Sequence, residues 1–122
     1  MSAENPTWKS AGYAMPVTTA FDFPDFDVAT TIGAVSGVYA TSLGIGRSIT
    51  AGFSAMARGE VANMTELLAE ARHTALSRCI DAAGRLGANA VLGVRFDSNE
   101  VNGQIVEIHC YGTAVVVRGK GG

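Results

Sequence analysis

Apolar side chains recur at helical spacing between residues 64 and 86, and this is the clearest periodic pattern in the chain. Residues three or four apart lie on one face of an α-helix, so these side chains form a single broad stripe. Asn63, with Glu66 three residues later, fits a capping box, and Gly87 supplies a left-handed stop. The pattern therefore predicts a helix over residues 64–86. Its apolar members are Met64, Leu67, Leu68, Ala71, Ala75, Cys79, Ala82, Ala83 and Leu86.

β-branched and aromatic residues dominate on both sides of this helix. Before it, "VTTAFDF" and "VATTIGAVSGVYA" predict two short strands separated by a turn at Pro24–Asp25. After it, two β-rich runs flank Asn102–Gly103, a pair that favours a two-residue hairpin turn because both residues tolerate positive φ. With that turn, Arg95 lies opposite Cys110, Phe96 opposite His109 and Gly93 opposite Gly112.

This register predicts a hairpin with two apolar faces. One face carries Leu92, Val94, Phe96, Tyr111 and Thr113, and the other carries Val91, Gly93, Ile108, Cys110, Gly112, Ala114 and Val116. We expect the helix to cover the second face, where glycine and alanine allow close approach. A single helix covers only one side, so we expect another copy of the chain to cover the first face, which includes Val115 at its end.

Composition sets the class of protein. The chain has 122 residues, 48% of them hydrophobic and 16% charged, which is typical of one globular domain. We expect a loosely docked or disordered tail over residues 1–15, a domain over 16–118 and a flexible end over 119–122. A net charge of −2 argues against a nucleic-acid partner. Without a signal-peptide pattern or an apolar run long enough to span a bilayer, the chain is expected to be cytoplasmic.

The glycine-rich stretch "TSLGIGRSITAGFSAMARG" admits three interpretations. Its apolar residues recur on one face of a predicted short helix, which favours a packing element at a subunit contact. Gly44, Gly46, Arg47 and Ser48 lie where that helix begins and could bind an anion, although the stretch lacks a complete phosphate-loop motif. Membrane contact is disfavoured because the polar face has no row of lysines. We favour the packing element, and the anion site remains an alternative.

Four residues are candidate ligands for a thiophilic metal such as Cu(I) or Zn(II), namely His73, Cys79, His109 and Cys110. No two of them within one element face the same way, so a site has to form across elements or subunits, for example between Cys79 and Cys110. Ordinary burial as free thiols is the simpler expectation for the two cysteines, which lack C-x-x-C spacing. No arrangement typical of a catalytic nucleophile or of paired carboxylates is present, so we do not predict an enzyme.

Three motifs carry a family resemblance over roughly residues 17 to 118. They are "ARHTA" in the helix, "LGANAVLGV" after it and "YGTAV" near the end. The chain resembles the YbjQ family, also called UPF0145 and described as a heavy-metal-binding domain. The resemblance implies a small α+β, dodecin-like β-α-β-β subunit, with extra short strands and a short helix at subunit contacts. It also implies assembly as a homopentameric ring, leaving open a higher assembly and a bound small ligand or metal.

Overall fold

The chain forms a strand, a long helix and two further strands in a computed structural model that describes residues 12–42, 61–103 and 105–120. Strand β1 spans Phe26–Ser42, helix α1 spans Val61–Arg85, strand β2 spans Ala90–Val101 and strand β3 spans Ile105–Gly119. The predicted α+β class and the β-α-β-β order are therefore confirmed. No helix in these parts of the chain is long and apolar enough to cross a bilayer.

The three strands form one antiparallel sheet in the order β1-β3-β2, and α1 lies on one face of it, chiefly over β1 and β3. The strand predicted at the start of the domain is absent, because only Val17 makes an isolated parallel bridge, to Val91. Residues 16–20 run irregularly along the edge of β2, where the carbonyls of Pro16 and Thr18 accept backbone hydrogen bonds from Val91 and Val94. A turn at Pro24–Asp25 then leads into β1.

Helix α1 begins earlier than predicted and ends as predicted. It starts at Val61, so Asn63 lies inside the helix and is not its N-terminal cap. At the other end Gly87 adopts a φ of 91°, and Ala88 donates a hydrogen bond to the carbonyl of Ala83 at 3.0 Å. This arrangement satisfies carbonyls that the end of a helix leaves free, and glycine tolerates the left-handed conformation it needs.

The hairpin turn lies at the predicted residues, but its loop is longer than predicted. Asn102 and Gly103 have φ values of 54° and 66°, as the prediction required. The first strand pair, however, joins Val101 to Ile105, so the loop is one residue longer than a two-residue turn. The predicted partners near the hairpin are consequently wrong by one residue, with Arg95 opposite Tyr111 and Phe96 opposite Cys110.

A β-bulge at Gly93 cancels this one-residue shift in strand pairing for the part of the hairpin that lies beyond it. Gly93 has a φ of 63°, and Gly93 and Val94 together lie across from Gly112, between the pairs Leu92–Thr113 and Arg95–Tyr111. Glycine in the left-handed conformation is the usual first residue of such a bulge. Because one extra residue reverses the alternation, Val94 and Phe96 pack on the helix side of the sheet.

The prediction of a second apolar face therefore fails near the hairpin turn and holds only at the other end of the sheet. Near the hairpin, the face turned away from α1 carries polar side chains, namely Arg95, Asp97, Asn99, Glu107 and His109. At the opposite end of the sheet, the chain's own Phe23 covers a small cluster formed by Ala90, Leu92, Val115 and Val117. Val115 is only 1% exposed, so a charged substitution there would disturb the subunit itself.

The helix approaches the sheet most closely over Gly37 in β1. A Cβ atom at Gly37 would overlap the backbone of Ala75 and Cys79 and would lie 2.8 Å from the carbonyl carbon of Arg78. Gly112 lies on the helix side of the sheet, between Cys110 and Ala114, but the atoms nearest to it belong to β2. The nearest side chain to Gly93 is Phe21, so the predicted close approach of α1 to these two glycines is wrong. The small side chains of α1, including Ala71, Ala75, Cys79 and Ala83, are buried on this seam, as expected for a close helix-to-sheet contact.

Candidate functional site

Cys79 of α1 and Cys110 of β3 meet in the seam between helix and sheet. Cys110 is paired with Gly37, which brings the helix backbone down onto the strand beside it. Both thiols are free, and both are 0% exposed. The structure therefore brings together the one pair of candidate ligands that the sequence suggested across two elements.

A hydrogen bond between the two side chains separates the acidities of the two thiols. It lowers the pKa of Cys79 by stabilising a thiolate there, and the same bond, together with burial, raises the pKa of Cys110 far above the ordinary range. A single negative charge can be held between the two sulfur atoms, but a second would be strongly opposed. A positively charged ion that binds thiolates would remove this opposition.

The two histidines do not join the thiols. His73 lies on the exposed side of α1, where its Nδ1 is hydrogen-bonded to the hydroxyl of Tyr13 and the two rings stack at 5.9 Å. His109 lies on the other face of the sheet, with its ring 5.5 Å from that of Tyr111. Among the described residues, no three His, Cys, Asp or Glu side chains converge as metal ligands.

This geometry decides which metals the described residues fit. Structural zinc takes four ligands, and the pair of cysteines supplies only two. Soft thiolate ligands select ions such as Cu(I). The described residues of the seam therefore do not complete a tetrahedral zinc site, and their two sulfur atoms are ligands of the type that soft ions prefer.

The predicted anion site cannot be compared with this geometry. Gly44, Gly46, Arg47 and Ser48, together with the short helix predicted around them, lie outside the described residues. The anion interpretation and the subunit-contact interpretation of that stretch both remain predictions.

A cleft that the sequence analysis missed lies at the outer end of the same seam. It has a volume of about 290 Å³ and is lined by Tyr13, Ala69, Arg72, His73, Leu76 and Phe96. The guanidinium of Arg72 lies over the ring of Phe96, 5.7 Å from its centroid. Burial raises the pKa of Tyr13, and the nearby Cys110 adds to the effect.

The helical spacing of four of these residues was visible in the sequence. Ala69, Arg72, His73 and Leu76 follow the i, i+3, i+4, i+7 pattern of one helix face. The residue that lines the opposite side of the cleft could not be predicted, because Phe96 lies on the helix side of the sheet only as a result of the bulge at Gly93. Tyr13 belongs to the segment that we assigned to the N-terminal tail.

Strand β1 forms an edge of the sheet and is unusually long, at 17 residues. From Val28 to Ser42 it contains no charged residue and no proline. On the side away from β3, no strand pairs with β1 among the described residues. Val28 and Val38 are 41% and 39% exposed. From Val28 to Ser42 the strand therefore offers an uncharged edge, in which apolar side chains are interspersed with serine and threonine.

A three-stranded antiparallel sheet, covered on one side by a single helix with two thiols between the layers, defines a small two-layer α+β protein. Comparison with known proteins gives this class a family. The chain belongs to the YbjQ family, because the family model described as "Putative heavy-metal-binding" matches residues 15–118. The predicted resemblance is thus confirmed.

Curated relatives carry the name UPF0145 protein. One from Fervidobacterium nodosum is 46% identical over 84% of this chain and 94% of its own length, and one from Thermotoga maritima is 43% identical over 83% and 95%. A crystal structure from Pediococcus pentosaceus, described as a protein of unknown function of the DUF74 family, matches with a TM-score of 0.59. It is 16% identical and covers 85% of this chain and 98% of that chain, so it supports the fold alone.

Proposed function

We propose that this chain is a non-catalytic cytoplasmic protein that assembles as a homopentameric ring and holds a small ligand. The observation that carries the assembly is the outer edge of β1, with which no strand in the described parts of the chain pairs. Natural proteins protect exposed strand edges with charges, proline or a covering segment, because an unprotected edge pairs with other chains. Within the described parts of the chain, β1 carries a charge at Asp27 and register shifts near Thr30 and Gly33, but no such protection from Ala34 to Ser42, and a partner strand explains that unprotected part.

The other edge of the sheet makes the contrast clear. β2 carries Arg95, Asp97 and Glu100, and residues 16–20 lie along its first part. It therefore has both charges and a covering segment, whereas no strand in the described parts of the chain pairs with the outer edge of β1. A second copy of the chain is the economical partner for β1, since the family resemblance implies strands that join subunits.

The proposal that the chain is not an enzyme rests on the burial of its most reactive side chains. Cys79 and Cys110 are the strongest potential nucleophiles of the described residues, and both are fully buried. A nucleophile has to reach its substrate, and in the described chain neither thiol has any exposed surface through which a substrate could reach it. Their position suits packing or ion binding better than covalent catalysis.

Light scattering on Val38→Glu tests the assembly. Val38 lies in β1 and is partly exposed within one subunit, so a carboxylate there should leave the subunit folded while opposing strand pairing. We expect the wild type to be an oligomer and Val38→Glu to shift towards a 12.6 kDa monomer. Val101→Glu is the matched control, because Val101 is 43% exposed but lies beside the hairpin turn. A variant at Val38 that keeps the wild-type mass would contradict the role of β1.

The pair of buried cysteines favours a second candidate function, the binding of a thiophilic metal. Each of Cys79→Ala and Cys110→Ala should abolish stoichiometric uptake of Cu(I), measured by competition with a colorimetric chelator under reducing conditions. His73→Ala and His109→Ala should retain uptake, because neither ring reaches the thiols. If wild type takes up no Cu(I), or if Cys110→Ala takes up as much as wild type, this function is excluded.

A further inference from the structure

In the described parts of the chain, the cleft beside α1 combines apolar walls with one positive charge that has no ion-pair partner there. The rings of Tyr13 and Phe96 and the side chains of Ala69 and Leu76 supply the apolar lining. Small-molecule sites typically show this composition, an apolar body with a few polar groups that fix orientation. The volume of about 290 Å³ lies near the lower end of the usual range and suits a compact ligand.

Arg72 is the polar group of the cleft for which the described residues supply no hydrogen-bond or ion-pair partner. Within the described parts of the chain, its recorded contact is the face of Phe96, and the one ion pair found joins Lys120 to Asp27. None of the described residues that line the cleft is a carboxylate. By comparison, Arg78 on the same helix donates a hydrogen bond to the carbonyl of Val38 at 2.7 Å and so has its polar contact within the fold.

His73 is the second side chain of the cleft that can carry a positive charge, and it already has a hydrogen-bond partner. His73 is hydrogen-bonded to Tyr13 and stacked on its ring, which leaves Arg72 as the free donor. A guanidinium presents paired N–H groups that match the two oxygens of a carboxylate. Aromatic rings beside it favour a flat ligand body.

We propose that this cleft binds a small aromatic carboxylate, with the carboxylate paired to Arg72 and the ring system lying against Phe96 and Tyr13. The inference rests on the proposed ligand-binding role and places the ligand within one subunit, so it does not depend on the ring assembly. It identifies a class of ligand by charge and shape, namely a planar apolar group that carries one carboxylate.

The test uses 2-naphthoate and its neutral analogue 2-naphthamide, titrated into the full-length protein and followed by naphthalene fluorescence. We expect saturable binding of one 2-naphthoate per subunit. Arg72→Gln should weaken binding of 2-naphthoate by at least about tenfold, the loss expected for a charge-assisted hydrogen bond. The same variant should change the affinity for 2-naphthamide by less than about twofold, because the apolar contacts remain.

Arg85→Gln is the matched control, since Arg85 is an exposed arginine at the end of α1 and outside the cleft. A second variant, Ala69→Phe, fills the cleft without removing a charge and should prevent binding of both ligands. The proposal is overturned if wild type shows no saturable binding of 2-naphthoate, if Arg72→Gln weakens both ligands equally, or if Arg85→Gln has the same effect as Arg72→Gln. Light scattering on the same samples reports assembly separately, so failure of the cleft is distinguishable from failure of the ring.

Discussion

Replacing Gly37 with alanine would put a methyl group where the backbone of α1 already lies. The added Cβ would overlap the carbonyl oxygen of Ala75 and the amide nitrogen of Cys79, and it would lie 2.8 Å from the carbonyl carbon of Arg78. Ordinary contact begins near 3.4 Å, so the backbone of the helix has to move by more than half an ångström. A flexible side chain could rotate away, but a helix backbone can only move as a unit.

The size of the effect follows from that movement. A gap of 0.5–1 Å forfeits roughly a quarter to a half of each dispersion contact across it. The seam loses such contacts at several fully buried side chains, including Ala75, Cys79 and Ala83. Overpacking typically costs about 1–3 kcal/mol, and a clash with backbone belongs at the upper end. We therefore expect Gly37→Ala to lower the free energy of unfolding by roughly 3 kcal/mol.

Urea denaturation at fixed protein concentration measures this loss. Gly119→Ala is the matched control, because a Cβ at Gly119 meets nothing within 4 Å, and it should stay within about 0.5 kcal/mol of wild type. Gly84→Ala should stabilise by up to about 1 kcal/mol, since alanine is the better helix former and the nearest atom is 3.7 Å away. A Gly37→Ala protein as stable as the Gly119→Ala control would refute the close approach of helix and sheet.

Three further substitutions test other contacts. Gly112→Val should destabilise by about 1–3 kcal/mol in urea, because its Cβ would lie 2.8 Å from Cγ1 of Val91; unchanged stability would contradict this packing. Asn89→Ala should cost about 1–3 kcal/mol in thermal unfolding, since its amide bonds both backbone groups of Val117, at 2.7 and 3.0 Å. Tyr13→Phe should cost about 1 kcal/mol at neutral pH through loss of its hydrogen bond to the histidine ring.

The Tyr13 variant also has a predicted pH dependence. Burial raises the pKa of Tyr13 above its ordinary value of 10.0, so the folded state holds this proton more tightly than the unfolded chain. The corresponding stability is complete below pH 10 and is lost as the pH rises through the folded pKa. Melting temperatures from pH 8 to 11 should therefore fall less steeply for Tyr13→Phe than for wild type. Parallel curves would show that Tyr13 does not contribute to the alkaline loss.

The long helix and the hairpin could be predicted because their signals are local. Apolar spacing and Gly87 fixed the body and the end of α1, and Asn102–Gly103 fixed the turn. The register could not be predicted, since it depends on the loop length and on a bulge at Gly93 that offset each other. These two single-residue shifts turn Phe96 towards the helix and expose a polar face that the pattern had predicted to be apolar.

The candidate site, too, could be predicted from the sequence only in part. The pair Cys79–Cys110 was among the arrangements that the sequence allowed, because one cysteine lies on the helix stripe and the other on a β-rich run. The distance between them depends on Gly37, which no periodicity distinguishes from the other glycines of the chain. The cleft was missed since it needs Phe96 on the helix side and Tyr13 beyond the predicted start of the domain.

Native mass spectrometry of the full-length protein, purified under reducing conditions, tests the central claim most directly. It reports the number of subunits and any retained ligand or metal in one spectrum. Our account predicts an assembly of five copies of the 12.6 kDa chain, with Val38→Glu shifted towards the single chain. A wild-type spectrum that contains only the 12.6 kDa monomer at micromolar concentration would contradict assembly through β1.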